Sequence, residues 1–109
     1  MKAGPKPADT LDQDDALAGA GPLEVTVRYF AGARAAAGVA EETLRLARPA
    51  AGRVTAADVI EAVLELHPER LERVVASCSF LLNGVAVRDR AVEVAHASEL
   101  DVLPPFAGG

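Results

Sequence analysis

A chain of 109 residues has room for one hydrophobic core and little else, so a second domain is not expected. Half of the residues are apolar but only 4% are aromatic, so the core should be aliphatic, built from Ala, Val and Leu. The formal net charge of -5 argues against nucleic acid, because a phosphate backbone calls for a clustered surplus of Lys and Arg, and it points to basic protein partners instead.

Residues 1–22 differ in character from the rest. They carry Pro5, Pro7, Pro22, three Gly and four Asp with only scattered Leu, too little apolar surface to offset the entropy of ordering them. A disordered extension is expected there, and a folded domain over 23–109. No basic stretch followed by an apolar run opens the chain, and no segment approaches the ~20 apolar residues of a membrane span. The one cysteine, Cys78, cannot form an internal disulfide, which suits a reducing compartment. Together these features predict a cytoplasmic protein that meets no membrane.

Order should begin at Leu23. In "LEVTVRYF" Leu23, Val25, Val27 and Tyr29 alternate with Glu24, Thr26, Arg28 and Phe30, the period of a half-buried strand with Phe30 on its outward face. "AGARAAAG" follows, with Gly32 and Gly38 as punctuation and room for one helical turn between them. "ETLRL", Glu42 to Leu46, alternates again and predicts a second strand returning beside the first.

The main helix is marked by Thr55 as cap, Asp58 in the capping-box position, and an apolar face of Val59, Ile60, Val63 and Leu64; His67-Pro68 ends it. Pro68 opens a second short helix in "PERLERVV", with Leu71, Val74 and Val75 facing inward. Asn83-Gly84 joins two apolar runs as a tight hairpin turn, and Leu100 to Leu103 reads as a last strand stopped by two prolines. This order describes an α+β arrangement, a mixed sheet of about four to five strands packed on one main helix. With the first and last strands side by side in its centre, it would be a β-grasp, the ubiquitin-like shape.

No glycine-rich phosphate loop, Cys/His ligand set or Ser-His-Asp arrangement stands out, and attention passes to the end of the chain, "LPPFAGG". Gly108 and Gly109 have no side chain, so the terminal carboxylate can enter a channel too narrow for any other residue. Pro104 and Pro105 fix φ and carry the tail away from the domain, which lowers the entropic cost of insertion. An ATP-dependent partner could convert that carboxylate to an acyl-adenylate.

The tail "LPPFAGG", the opening "VRYFAGARAAAG", the Asn-Gly hairpin and the element order together closely resemble the MoaD/ThiS family of ubiquitin-like sulfur carriers, over about Leu23 to Gly109. Within that family the likeness is greatest to the small subunits of molybdopterin synthase. The resemblance implies that an adenylating enzyme of the ubiquitin-activating type uses ATP to activate the Gly109 carboxylate. Sulfur from a sulfurtransferase then replaces AMP to give a thiocarboxylate, and a large synthase subunit uses that sulfur on cyclic pyranopterin monophosphate, on the path to molybdenum cofactor.

It further implies that Gly108 inserts with Gly109, that no cofactor is bound, and that the catalytic residues proper sit on the large subunit of a heterotetramer. Phe30 and Arg34 match the family's "F-A-x-x-R" stretch, which meets partner proteins, and Leu103 adds an apolar contact. Pro104, Pro105, Phe106 and Ala107 complete the partner-binding set. The chain departs from the family pattern at Ala97-Ser98-Glu99, where members commonly show Gly-Asp-Glu, and at Phe106, where a smaller residue is usual.

Plainer readings stand beside these. Phe30 reads equally well as an ordinary surface aromatic and Arg34 as a solvated charge. Arg70, Arg73, Arg88 and Arg90 read as solubilising charges. Cys78 suits a small buried hydrophobe better than a sulfur donor. His67 can cap helix carbonyls, His96 lies in a loop, and neither has partners at metal-ligand spacing, so no metal is expected. Two other functions remain open: a sulfur carrier for cysteine or thiamine biosynthesis, and a ubiquitin-like modifier or docking module.

Overall fold

The computed structural model describes residues 21–50 and 52–105. Of the extension expected over 1–22, only Gly21 and Pro22 fall within the described residues, and Phe106, Ala107, Gly108 and Gly109 lie outside them.

The alternation at the start of the domain builds strand β1, Leu23–Tyr29, whose inward residues Leu23, Val25, Val27 and Tyr29 are all buried while Glu24, Thr26 and Arg28 are half-exposed. Helix α1 follows at once, Ala31–Ala37, seven residues where the sequence suggested a single turn. The difference comes from Gly32, read as punctuation but helical here; the alanines around it favour a helix enough to carry it. Gly38 ends α1 in the left-handed conformation, φ 82, and donates its N–H to the Arg34 carbonyl at 2.9 Å. A full helix therefore separates the first two strands, where the sequence left room for one turn.

Strand β2, Glu41–Leu46, pairs antiparallel with β1 and sets Leu44 opposite Val25. Helix α2, Ala56–Leu66, carries the expected capping box: the Thr55 side chain accepts from the Asp58 N–H at 3.3 Å, and the Asp58 carboxylate accepts from the Thr55 N–H at 2.9 Å. Such a cap stabilises by about 1 kcal/mol. Ala56, Val59, Ile60 and Val63 form its buried stripe. Helix α3, Arg70–Val75, begins two residues after Pro68, because Glu69 takes a positive φ of 71 and turns the chain first. Leu71 and Val75 are its buried residues, and Val74 packs partly buried against the core.

Strands β3, Ser79–Leu82, and β4, Val85–Ala86, form the hairpin, with Asn83 at φ 51 and Gly84 at φ 83 as the tight turn requires. Strand β5, Ser98–Leu103, is two residues longer than expected. The sheet order is β2-β1-β5-β3-β4, and β1 and β5 are parallel neighbours in the centre. One face of the sheet meets the helices through Val25, Val27, Phe80, Leu100 and Val102, all buried with the stripes of α2 and α3 in one core. Arg90 is more than a solubilising charge, since its guanidinium lies 5.1 Å from the centre of the Phe80 ring.

Candidate functional site

Parallel pairing decides where the tail begins. Tyr29 is in register with Val102, so β1 and β5 end at the same edge of the sheet, and the Phe30 N–H donates to the Val102 carbonyl at 3.2 Å. Phe30 is extended, φ -124 and ψ 149, and caps α1: its carbonyl accepts from Ala33 at 3.0 Å and from Arg34 at 3.4 Å. The structure thus brings Phe30 to the root of the tail, beside Leu103 and Pro104. All three are half-buried, while Pro105 and, one turn along α1, Arg34 are exposed. Phe106, Ala107, Gly108 and Gly109, the rest of the expected set, fall outside the described residues.

On the open face of the sheet, just below this root, lies a pair that the sequence reading passed over. Arg28 donates from Nε to Asp101 Oδ1 at 2.8 Å and from Nη2 to Oδ2 at 3.0 Å, a two-point grip across the parallel strands. The hydrogen bond to Asp101, outweighing a lowering by burial and helped by the charges of Asp101, Glu99 and Glu41, raises the guanidinium pKa and keeps it charged. Its carbon lies 5.5 Å from the centre of the Phe30 ring. The signal was present: Asp101 is a carboxylate flanked by Leu100 and Val102 in the final strand, and such a charge needs a partner.

A second network fastens the other side of the sheet. Tyr29 donates from its hydroxyl to Glu42 Oε2 at 2.5 Å, and His67 Nε2 lies 2.6 Å from the same oxygen. The Tyr29 and His67 rings meet edge to face, 5.8 Å between centres. His67 therefore ends α2 by reaching across to β2 with its ring, whereas capping of helix carbonyls was expected. Burial, then the hydrogen bond to Glu42 and its charge, push the Tyr29 phenol well above its ordinary pKa.

Cys78 is half-buried, its thiol donating to the Val74 carbonyl at 3.2 Å, and burial pushes its pKa up. A thiol held in that form is a poor nucleophile, which agrees with the packing role. His96 sits in the turn before β5 and accepts the Glu24 N–H on Nδ1 at 3.1 Å. Among the described residues no group of three or more His, Cys, Asp or Glu is placed to hold a metal ion, and no helix is long and apolar enough to cross a membrane.

A mixed five-stranded sheet whose first and last strands run parallel in the centre, wrapped on one main helix, is the ubiquitin-like β-grasp. The family model of the ThiS family matches residues 27–109, and the chain belongs to that ThiS/MoaD family. It is 33% identical over 88 residues to the molybdopterin synthase sulfur carrier subunit of Chlamydomonas reinhardtii, a match spanning 80% of this chain and 100% of that protein. Among solved structures it resembles a Pyrococcus furiosus protein assigned as subunit 1 of a molybdopterin converting factor, at 30% identity and TM-score 0.64 over 77% of this chain and 99% of that one. SAMP1 of Haloferax volcanii, a small archaeal modifier protein, is 25% identical at TM-score 0.63, over 79% of this chain and 99% of its own.

Proposed function

We propose that this chain is the sulfur carrier subunit of a molybdopterin synthase, acting in the cytoplasm through its C-terminal glycine. The observation that carries the reading is the match to the whole length of the Chlamydomonas reinhardtii carrier subunit, over 80% of this chain. The position of Leu103 at the end of a central strand, followed at once by Pro104 and Pro105, supports it, because two fixed φ angles favour an extended continuation.

In this reading the Gly109 carboxylate attacks ATP on an adenylating enzyme of the ubiquitin-activating type and releases pyrophosphate. A persulfide on a sulfurtransferase displaces AMP to give an acyl disulfide, and a second thiol reduces that bond, leaving the thiocarboxylate and a disulfide. The large synthase subunit receives the tail and passes its sulfur to cyclic pyranopterin monophosphate, and water restores the carboxylate. Gly108 and Gly109 enter the partner's channel, while Phe30, Arg34, Leu103, Pro104, Pro105, Phe106 and Ala107 contact the partner around it. Catalytic side chains belong to the large subunit, so the carrier's own part is to present an acyl carbon and be recycled.

The test is the intact mass of the chain after incubation with ATP, a sulfur source and the activating and sulfurtransfer enzymes of its own cell, then with large subunit and pterin. A shift of one oxygen-to-sulfur exchange that reverses as dithiolene product forms is expected. Deleting Gly109, or Gly109→Ala, should abolish transfer and leave the melting temperature unchanged; normal transfer in either variant refutes the tail mechanism.

The likeness to an archaeal modifier favours one second reading, in which Gly109 forms isopeptide bonds to lysines. That reading expects high-mass conjugates in cells which disappear with Gly109. A mass shift that the pterin fails to discharge would instead assign the carrier to cysteine or thiamine biosynthesis.

A further inference from the structure

Phe30 stands one residue beyond the last paired position of β1, where β2 no longer runs alongside: ladder pairing of these two strands ends with Arg28 opposite Glu41. An aromatic side chain at a strand end, half-buried at the root of the tail, needs something to fix its ring. Its own strand supplies it. Arg28 lies two residues earlier on the same open face, with its guanidinium 5.5 Å from the ring centre. Arg28 in turn is not free to wander, because Asp101 holds two of its nitrogens at 2.8 and 3.0 Å from the neighbouring central strand, and Glu99 Oε2 lies 3.6 Å from its Nε. Asp101 is buried on a strand paired on both sides, with Arg28 opposite it on one and Leu81 on the other, so the anchor is the sheet itself.

We propose that Arg28 is a positioning residue of the partner-binding surface: gripped by Asp101, it holds the Phe30 ring in the orientation in which the protein receiving the tail meets it. The inference rests on the reading of Phe30 as a partner contact and adds what makes that contact ready before binding. A ring already fixed loses less freedom when a partner closes on it, so the partner's affinity depends on Arg28 even where Arg28 itself is left uncovered. A purely structural ion pair would affect binding independently of the ring. A positioning residue acts only through it.

The test is a cycle of variants measured for Kd against the large synthase subunit of the same cell. Arg28→Gln is combined with Asp101→Asn so that no buried charge is left unpaired, and the pair is made with and without Phe30→Leu. The paired change should weaken binding about two- to fivefold when the ring is present, the range of an exposed cation–ring contact, and should have no effect when it is absent. Equal weakening in both backgrounds overturns the proposal, as does no weakening in either.

A readout on the unbound protein guards against variants that fold poorly. In the wild-type NMR spectrum the Arg28 side-chain protons should be shifted by the Phe30 ring current and should lose that shift in Phe30→Leu. An unshifted Arg28 in the wild type also overturns the proposal. Failure of the wild-type chain to bind the large subunit at all would sink the molybdopterin synthase reading and this inference together, whereas normal binding with additive effects sinks the inference alone.

Discussion

Tyr29 and Phe30 are adjacent aromatics with opposite duties. Strand alternation sends Tyr29 inward and Phe30 outward, and that much is legible in the sequence; the Tyr29 hydroxyl then reaches Glu42 on β2, a pairing that no spacing rule reveals. Removing the hydroxyl leaves a partly buried carboxylate one donor short, so Tyr29→Phe should lower stability by about 2 kcal/mol in urea denaturation. The pH dependence has a definite sign. The folded phenol is held protonated, so its contribution is fully present below the unfolded value of about 10 and is lost as pH rises toward the higher folded value. Tyr29→Phe should lack this alkaline decline. Because the chain has a single tyrosine, its ultraviolet absorbance follows the folded phenol without overlap.

The elements with strong local chemistry are the ones a reader of the sequence finds. The capping box at Thr55 and Asp58 and the Asn83-Gly84 turn are both present with the expected geometry, because each is determined by residues within a few positions. Helix α1 was undervalued because alanine and glycine carry little periodic signal, and what holds it is packing against α3 and β1. The turn before β5 shows the opposite case. Ala97 takes the left-handed conformation, φ 68, with its N–H donating to the Glu24 carbonyl at 2.8 Å. A Cβ in that conformation costs about 1 kcal/mol, partly offset by the smaller freedom of alanine in the unfolded chain. Ala97→Gly should therefore stabilise by about 0.5 kcal/mol, seen as a higher denaturant midpoint with an unchanged slope.

For the molecule as a whole, the candidate site was half legible. Phe30 and Leu103 could be named from the tail and the first strand, but their meeting depends on β1 and β5 lying parallel, and Arg28 could be recognised only once Asp101 lay beside it. We propose residues 23–109 as the autonomous folding unit, since all of the described core residues lie within it. Deleting residues 1–20 keeps the Gly21 carbonyl that Arg48 Nε meets at 2.8 Å, and should move the melting temperature by less than about 4 °C, the effect of a change under 1 kcal/mol. A larger fall in calorimetry would place part of the fold's support in the removed segment.

Arg28 and Asp101 are 73 residues apart in the chain and lie on the two middle strands of the sheet. As a ribosome makes this protein, β1 waits with one edge unpaired until β5 emerges, because its central neighbour is the last of the five strands to be made. A chain that stops before Leu100 lacks the middle of its own sheet and has no seat for Val27 or Tyr29. The sheet therefore closes last at its own centre, and its middle seam forms only when the whole run from β1 to β5 is present.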